Sequence, residues 1–341
     1  MRHQIRRLYM SFSKYLLQRL IYACLVLIVI SFLIFMIVQL PRGDAVDRIV
    51  NARQAQGDII TEEDEAALRA QYGLDKPVFV QYFIWATQFA RGNMGHSMLG
   101  IPVDKLINER IAATVMLSVI SLVVTYALAV PIGIYSATHQ YSLGDYFWTF
   151  VGFIGLATPN FLLALILLFL FHKFFGLSIG GLFSPGVEEQ PWSPAKVLDL
   201  LNHLWIPIIV IVTAQTAGTI RTMRATLLDE LGQQYVVTAR AKGLRYRQLL
   251  FKYPVRLALN PVVNSIGYIL PRLISGQTIV AIVLNLPTLG PLLFSALLAE
   301  DLELATSILM IQSILAVIGV ILGDIILSLY DPRIRMEKGV T

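Results

Sequence analysis

Across 341 residues the chain is 56% apolar and only 14% charged, with a mean hydropathy of +0.67, which excludes a soluble globular domain and defines an all-α integral membrane protein. Its net charge of +5 does not point to nucleic acid, because the basic residues cluster beside apolar stretches rather than along a soluble face; they set orientation in a lipid bilayer. The single cysteine, Cys24, rules out an intrachain disulfide and a cysteine-based metal site.

A helix that crosses the membrane needs about 20 residues without strong charge, since each adds ~1.5 Å against a ~30 Å hydrocarbon core. Residues 20–40 form the first such span, and residues 1–40 are read as a cytoplasmic N-terminus plus this helix. A signal peptide is the competing reading, because Arg2, Arg6, Arg7, Lys14 and Arg19 precede the run. The run is too long for a signal core, and Gln39-Leu40-Pro41-Arg42-Gly43 offers no small-residue cleavage pattern. Residues 41–112 form an extracytoplasmic region. In it Thr61 opens a capping-box-like helix start, residues 62–72 read as a short helix, and Gly73 ends it. Phe79, Tyr82, Phe83, Trp85 and Phe89 then place aromatic rings in an amphipathic stretch suited to the headgroup level; a folded cap or a partner-docking face accounts equally for this pattern.

Residues 113–331 hold five more spans: 113–136, 147–171, 204–220, 262–286 and 304–330. Pro131, Gly133 and Pro159 are tolerable inside them where neighbouring helices re-satisfy the backbone. The fifth span contains Arg272 and the sixth Asp324. Between the fourth and fifth lies a basic loop, residues 225–261. A helix through Tyr235, Val236, Ala239 and Lys242 stops at Gly243, which supplies a left-handed C-terminal turn; Leu244 is placed to fold back on it, and a second basic helix follows. Spacing alone allows the plainer reading of an ordinary basic cytoplasmic loop. Residues 332–341 form a short tail.

Lys and Arg set the orientation. They concentrate in the N-terminal segment, in the loop at Arg240, Lys242, Arg245, Arg247, Lys252 and Arg256, and in the tail at Arg333, Arg335 and Lys338. All three are therefore expected in the cytoplasm, which agrees with six spans and both termini inside. The last outer loop carries Glu300, Asp301 and Glu303 and no base.

Catalytic chemistry is not visible. There is no G-x-x-x-x-G-K-[ST] loop, no H-E-x-x-H and no G-x-S-x-G, and His3, His96, His139, His172 and His203 are scattered. The chain is expected to bind no cofactor, no metal and no nucleotide of its own.

Ordered motifs carry a family resemblance. Thr238-Ala239-Arg240-Ala241-Lys242-Gly243-Leu244 followed by Ala258-Leu259-Asn260-Pro261-Val262-Val263 resembles the signature of inner-membrane permeases of the dipeptide, oligopeptide and nickel class of ATP-binding-cassette importers, of the type with a long first outer loop. Tyr15-Leu16-Leu17-Gln18-Arg19-Leu20, Tyr72-Gly73-Leu74-Asp75-Lys76-Pro77, Arg91-Gly92-Asn93-Met94-Gly95-His96-Ser97, Thr158-Pro159-Asn160-Phe161, Pro287-Thr288-Leu289-Gly290 and Leu329-Tyr330-Asp331-Pro332-Arg333 are similar to further family motifs. The resemblance implies a type I importer permease fold in a bacterial inner membrane. Its expected partners are a second homologous permease, two ATPase subunits that hold ATP and Mg, and an extracytoplasmic substrate-binding protein. It also implies that Tyr235, Thr238, Ala239, Arg240, Ala241, Lys242, Gly243 and Leu244 form the coupling helix that seats in the ATPase. Ala239 and Ala241 would permit close approach there, with Arg240 and Lys242 pairing at its edge. Substrates of the family include peptides, nickel chelates and oligosaccharides, with peptides the leading expectation.

Two departures concern the fifth span: Ala281 stands where many relatives carry a glutamate, and Pro271-Arg272 replaces an apolar or small pair. An arginine ~15 Å inside an apolar helix needs an acid or water. Asp324 is one candidate partner, and a pathway position is the other. Gln277 and Asn285 are weaker pathway candidates, since polar groups in membrane helices also serve as interhelical glue. An ion-coupled transporter working alone would show repeated halves or several buried acids; neither is visible. A scaffold without transport leaves the motifs unexplained.

Overall fold

In a computed structural model the chain is described over residues 12–39, 46, 50, 54, 60–71, 76–176 and 180–331. The expected helix stop at Gly73 lies outside these residues. So do the motif residues 72–75, Arg2, Arg6 and Arg7 at one end, and Pro332, Arg333, Arg335 and Lys338 at the other.

Regular structure among the described residues is helical, in chain order α1 (Phe12–Val38), α2 (Glu62–Gln71), α3 (Val78–Ala90), α4 (Val103–Thr138), α5 (Leu143–Ala157), α6 (Asn160–Phe175) and α7 (Pro194–Leu231). There follow α8 (Gln234–Ala241), α9 (Tyr246–Lys252), α10 (Pro254–Asn264), α11 (Ile266–Ser275), α12 (Thr278–Val283), α13 (Leu289–Leu298) and α14 (Leu302–Tyr330). Among them, five stretches are long and apolar enough to cross a membrane, or six if the bent pair α5 and α6 is one span. They form two compact units: Met1–Ile21 with Ile111–Pro291 and Leu315–Thr341, and Tyr22–Arg110 with Leu292–Ile314.

Three spans differ from their expected form, each for a physical reason. The run 147–171 is bent by 102° between α5 and α6. Pro159 disfavours helical backbone at the residue before it, and Thr158 is extended at φ −88°, ψ 119°. The run 204–220 is only the apolar middle of the 38-residue α7, which continues past Arg221 and Arg224, because charge limits membrane burial but not helix formation. The run 262–286 is divided among α10, α11 and α12, with interruptions at Ser265 and at Gly276-Gln277.

In the larger unit α7 is the central element, packed against α5, α6, α10 and α12. Its apolar residues Leu204, Val210, Ile211, Met223 and Leu227 are buried along the helix. α11 packs on α14 closely enough that a methyl added at Gly323 would lie 2.6 Å from the Gly267 backbone, so small residues set this spacing. At the start of α5, Ser142 accepts the Asp145 amide, and the buried Asp145 carboxylate takes the Arg224 guanidinium through two hydrogen bonds of 2.9 and 2.8 Å. Such a bidentate pair fixes direction as well as distance.

The smaller unit explains two sequence patterns. Thr61 and Asp64 cap α2 reciprocally, at 3.1 Å from the Thr61 amide and 3.2 Å from the Asp64 amide. The aromatic stretch is α3. It lays Tyr82 into α1, where its hydroxyl meets Ser31 at 2.8 Å and its ring meets Phe32 and Phe35 edge-on, while Phe79 and Phe83 remain exposed. Acids of the last outer loop bind backbone amides. Glu303 accepts the His96 amide at 3.0 Å and Asp301 accepts the Met98 amide at 2.8 Å, which pins the glycine-rich loop 91–102.

Candidate functional site

The basic loop forms the expected helix, glycine stop and second helix. α8 ends where the amides of Lys242 and Gly243 bond to the Thr238 and Arg240 carbonyls at 3.1 and 3.0 Å. Gly243 then adopts φ 77°, with nothing within 4 Å of where a side chain would stand, so its requirement is conformational. Val236 and Ala239 of α8 and Leu249 of α9 are buried together, with Tyr235, Leu244 and Tyr253 packed against them. Leu244 thus folds back as expected. The Tyr235 hydroxyl donates to Glu230 at the end of α7, and burial, followed by that carboxylate, raises the phenol above its usual range.

Outward, α8 presents Val237, Thr238, Arg240 and Ala241, continued by Lys242. This corrects the reading of Ala239. A helix of two turns must spend one face on holding the turn together, so Ala239 contacts Leu249, and close approach from outside falls to Ala241 alone. Val237, 57% exposed, was not singled out from sequence. Two consecutive valines just ahead of two cations, of which a two-turn helix buries only one, are the signal that could have found it.

The element is tied into the unit behind it. α9 packs on α10, and α10 buries Val255, Ala258 and Val262 against Met223 and Leu227 of α7. Thr226 of α7 donates to the Ala258 carbonyl at 3.0 Å, and Tyr330 of α14 donates to the Arg256 carbonyl at 2.7 Å. Asn260 donates to Asp331 at 3.0 Å, and Tyr126 of α4 shares a hydrogen bond with Ser265. Helices α4, α7 and α14 therefore all hold the short helix that follows the basic turn. Displacement of α8 and α9 would load three long helices at once.

The fifth span brings a correction. Asp324 pairs with Arg19 at 2.9 Å, not with Arg272. The geometry explains this: α11 faces α14 through Gly267 and Leu270, and Arg272, two residues beyond Leu270, is turned about 200° away. Arg272 is exposed and makes no salt bridge to the described residues. Gln277 stands at the N-cap position of α12 without a side-chain capping bond and lines a small cavity with Thr114, Ser118, Leu273, Ala281 and Thr288. Ala281 is buried there. Asn285 is exposed at φ 50°, in the turn where Gly181 donates to the Leu284 carbonyl at 2.8 Å. Sequence reasoning missed the Asp145 and Arg224 pair altogether, because an acid in a first helical turn beside a capping serine reads as a local feature.

Comparison with known proteins shows the family. Residues 129–336 match the family described as binding-protein-dependent transport system inner membrane component, and residues 12–101 match the N-terminal region of such membrane components. The chain is 33% identical over 326 residues to the oligopeptide transport system permease protein AppB of Bacillus subtilis, covering 95% of this chain and 99% of that protein. It is 34% identical over 326 residues to a putative peptide permease protein of Brucella ovis, with the same coverage. To the oligopeptide transport system permease protein OppB of Mycobacterium tuberculosis it is 29% identical over 334 residues, covering 95% of this chain and 100% of that protein.

Proposed function

The chain belongs to the family of binding-protein-dependent transport system inner membrane components, and from that premise we propose that α8, Gly243 and α9 form the element through which a separate ATPase drives its membrane helices. As a member it is a multi-pass inner-membrane permease subunit of an ATP-binding-cassette importer rather than an enzyme. ATP hydrolysis in such a system belongs to other subunits, and solute reaches it from a binding protein. The ion-coupled alternative falls with this membership.

The finer reading has six spans with both termini cytoplasmic in a type I importer fold. A second homologous permease completes the pathway, and two ATPase subunits hold ATP and Mg. This chain itself binds no cofactor. Peptides are the proposed cargo, because relatives across nearly the whole chain are named as peptide or oligopeptide permeases.

One observation supports the coupling role above others: an exposed ridge of Val237, Arg240, Ala241 and Lys242 stands on a turn that packs through α9 on α10, the helix bonded to α4, α7 and α14. The apolar and small residues suit close contact, and the cations suit acidic or carbonyl groups at its edge. The test is Gly243→Val in the assembled importer. A β-branched residue in the left-handed region misdirects the ridge without touching a neighbour. Uptake and solute-stimulated ATP hydrolysis should both be lost while the complex still purifies whole. Transport at the wild-type rate by that variant would refute the coupling role.

A further inference from the structure

Arg272 is a cation without a salt-bridge partner among the described residues, in a place where cations are costly. It lies in α11, within the stretch Tyr246–Ser275 that is long and apolar enough to cross a membrane, and lipid gives an arginine there no compensation. α11 turns Ile269, Leu270, Leu273 and Ile274 inward and leaves Tyr268, Arg272 and Ser275 exposed. Steps of four and three residues put these last three on one stripe of the helix. The stripe ends where α11 breaks at Gly276, and Gln277 begins α12. Interrupted helix at membrane depth is tolerated inside protein or beside water, not against acyl chains. The opposite side of α11 is already occupied by α14 through Gly267 and Leu270. The Ser275 hydroxyl donates to the Pro271 carbonyl at 3.0 Å, whereas the phenol and the guanidinium in line with it face something polar that the described residues do not themselves provide.

From this juxtaposition we infer that Tyr268, Arg272 and Ser275 line the aqueous route through the importer and that Arg272 meets the carboxylate of the solute as it crosses. The second half rests on the peptide-import reading above. Charge complementarity selects the occupant: the guanidinium fork matches a carboxylate through two parallel N–H···O bonds, and no acid of the described chain competes for it. Had the solute side been uncharged, a glutamine would give the same hydrogen-bonding stripe without the desolvation cost. Because the contact is open to water, it is weak enough to release the solute again. Arg272 is on this reading a specificity residue for the anionic end of the cargo.

The experiment has two arms, both in the assembled importer with its binding protein in proteoliposomes. In the first, Arg272→Cys is made together with Cys24→Ser, which removes the only native thiol, and is treated with a membrane-impermeant, water-soluble thiol reagent. Modification above the Cys24→Ser background is expected; protection through the whole transport cycle would overturn the pathway position. In the second, Arg272→Gln is assayed for uptake of trialanine and of trialanine amide. Loss of one charge-assisted contact predicts a fall of roughly tenfold for the free acid and under about twofold for the amide, with Arg272→Lys in between. Parallel loss of both peptides would overturn the carboxylate contact. So would failure of Arg272→Gln to assemble where Arg272→Lys assembles, since the charge would then serve a subunit contact. A wild-type importer that takes up neither peptide would remove the peptide reading and the carboxylate contact together, and the thiol arm would still decide whether Arg272 lines the route.

Discussion

Gly243 ends α8 in the left-handed region at φ 77°, with open space where a side chain would stand, whereas Gly276 ends α11 at φ −87°, a backbone that any residue adopts, with a methyl there lying 2.6 Å from the Arg272 carbonyl oxygen. The first glycine answers a demand on conformation and the second a demand on room. Their settings differ in the same way. Around Gly243 the turn is free on its outer side and anchored behind, which suits a surface that must be gripped. Around Gly276 the helix is interrupted within an apolar stretch, which suits a wall that must carry polar groups through lipid. Charges follow the division: Arg19 and Arg224 are held by Asp324 and Asp145, whereas Arg272 stands open.

The largest effect should come from breaking the anchored side. Asp145→Ala strands the Arg224 guanidinium beside a buried helix start and removes the acceptor of the Tyr141 amide. It should destabilise the complex by about 3 kcal/mol, read as a lowered thermal midpoint in mild detergent. Arg272→Gln should change the stability by less than about 0.5 kcal/mol, because it removes no ion pair within the described chain. Equal shifts in the two variants would erase the contrast between an anchored end and an open stripe.

Next come the glycines themselves. Gly276→Ala forces a methyl onto a backbone oxygen and should cost about 2 kcal/mol, and Gly276→Asn should do no better. Gly243→Ala meets no neighbour and should cost about 1 kcal/mol of backbone strain, which Gly243→Asn largely recovers because asparagine tolerates the left-handed region. Rescue by asparagine at both positions, or at neither, would mean that room and conformation have been assigned to the wrong glycines.

The same contrast explains which features the amino-acid order reveals. The turn at Gly243 is legible because it lies in water, where a helix end must satisfy its carbonyls locally and local residues therefore record it. The all-helical membrane class is legible from hydropathy, and the ordered motifs point to the family that the comparisons show. The interruption at Gly276 is not legible, since the local bonds at it, the Gly276 amide to the Arg272 carbonyl at 2.8 Å and the Ser275 hydroxyl to the Pro271 carbonyl at 3.0 Å, are of a kind found inside continuous helices, and the apolar run continues through it. The bend before Pro159 could have been read more strongly, since proline constrains the residue preceding it. The Arg19 and Asp324 pair joins residues 305 apart, so choosing it over Arg272 needs the rotation of α11, which composition does not encode. Asp145 and Arg224, 79 residues apart, escape for the same reason.

The smallest expected effect tests whether the anchored side reaches the ridge itself. Tyr235 joins α8 to α7 through its hydrogen bond to Glu230, and its ring packs with Tyr253. Tyr235→Phe keeps the ring and removes the bond, which should lower stability by about 1 kcal/mol or less. Folding raises the phenol above its unfolded value near 10, so this group's contribution is present in full below that value and is lost only as pH rises beyond it. The difference between wild type and Tyr235→Phe should therefore stay flat from about pH 6 to 9. If it grew towards pH 9, the phenol would be ionising in the folded protein before the unfolded one, and the tie between α7 and α8 would not be the buried, protonated contact described. Uptake coupled to ATP hydrolysis should fall by less than about threefold in this variant, because packing at Val236, Ala239 and Leu249 still holds the turn. A loss as complete as that expected of Gly243→Val would instead make the Tyr235 bond, rather than the glycine stop, the feature that aims the ridge.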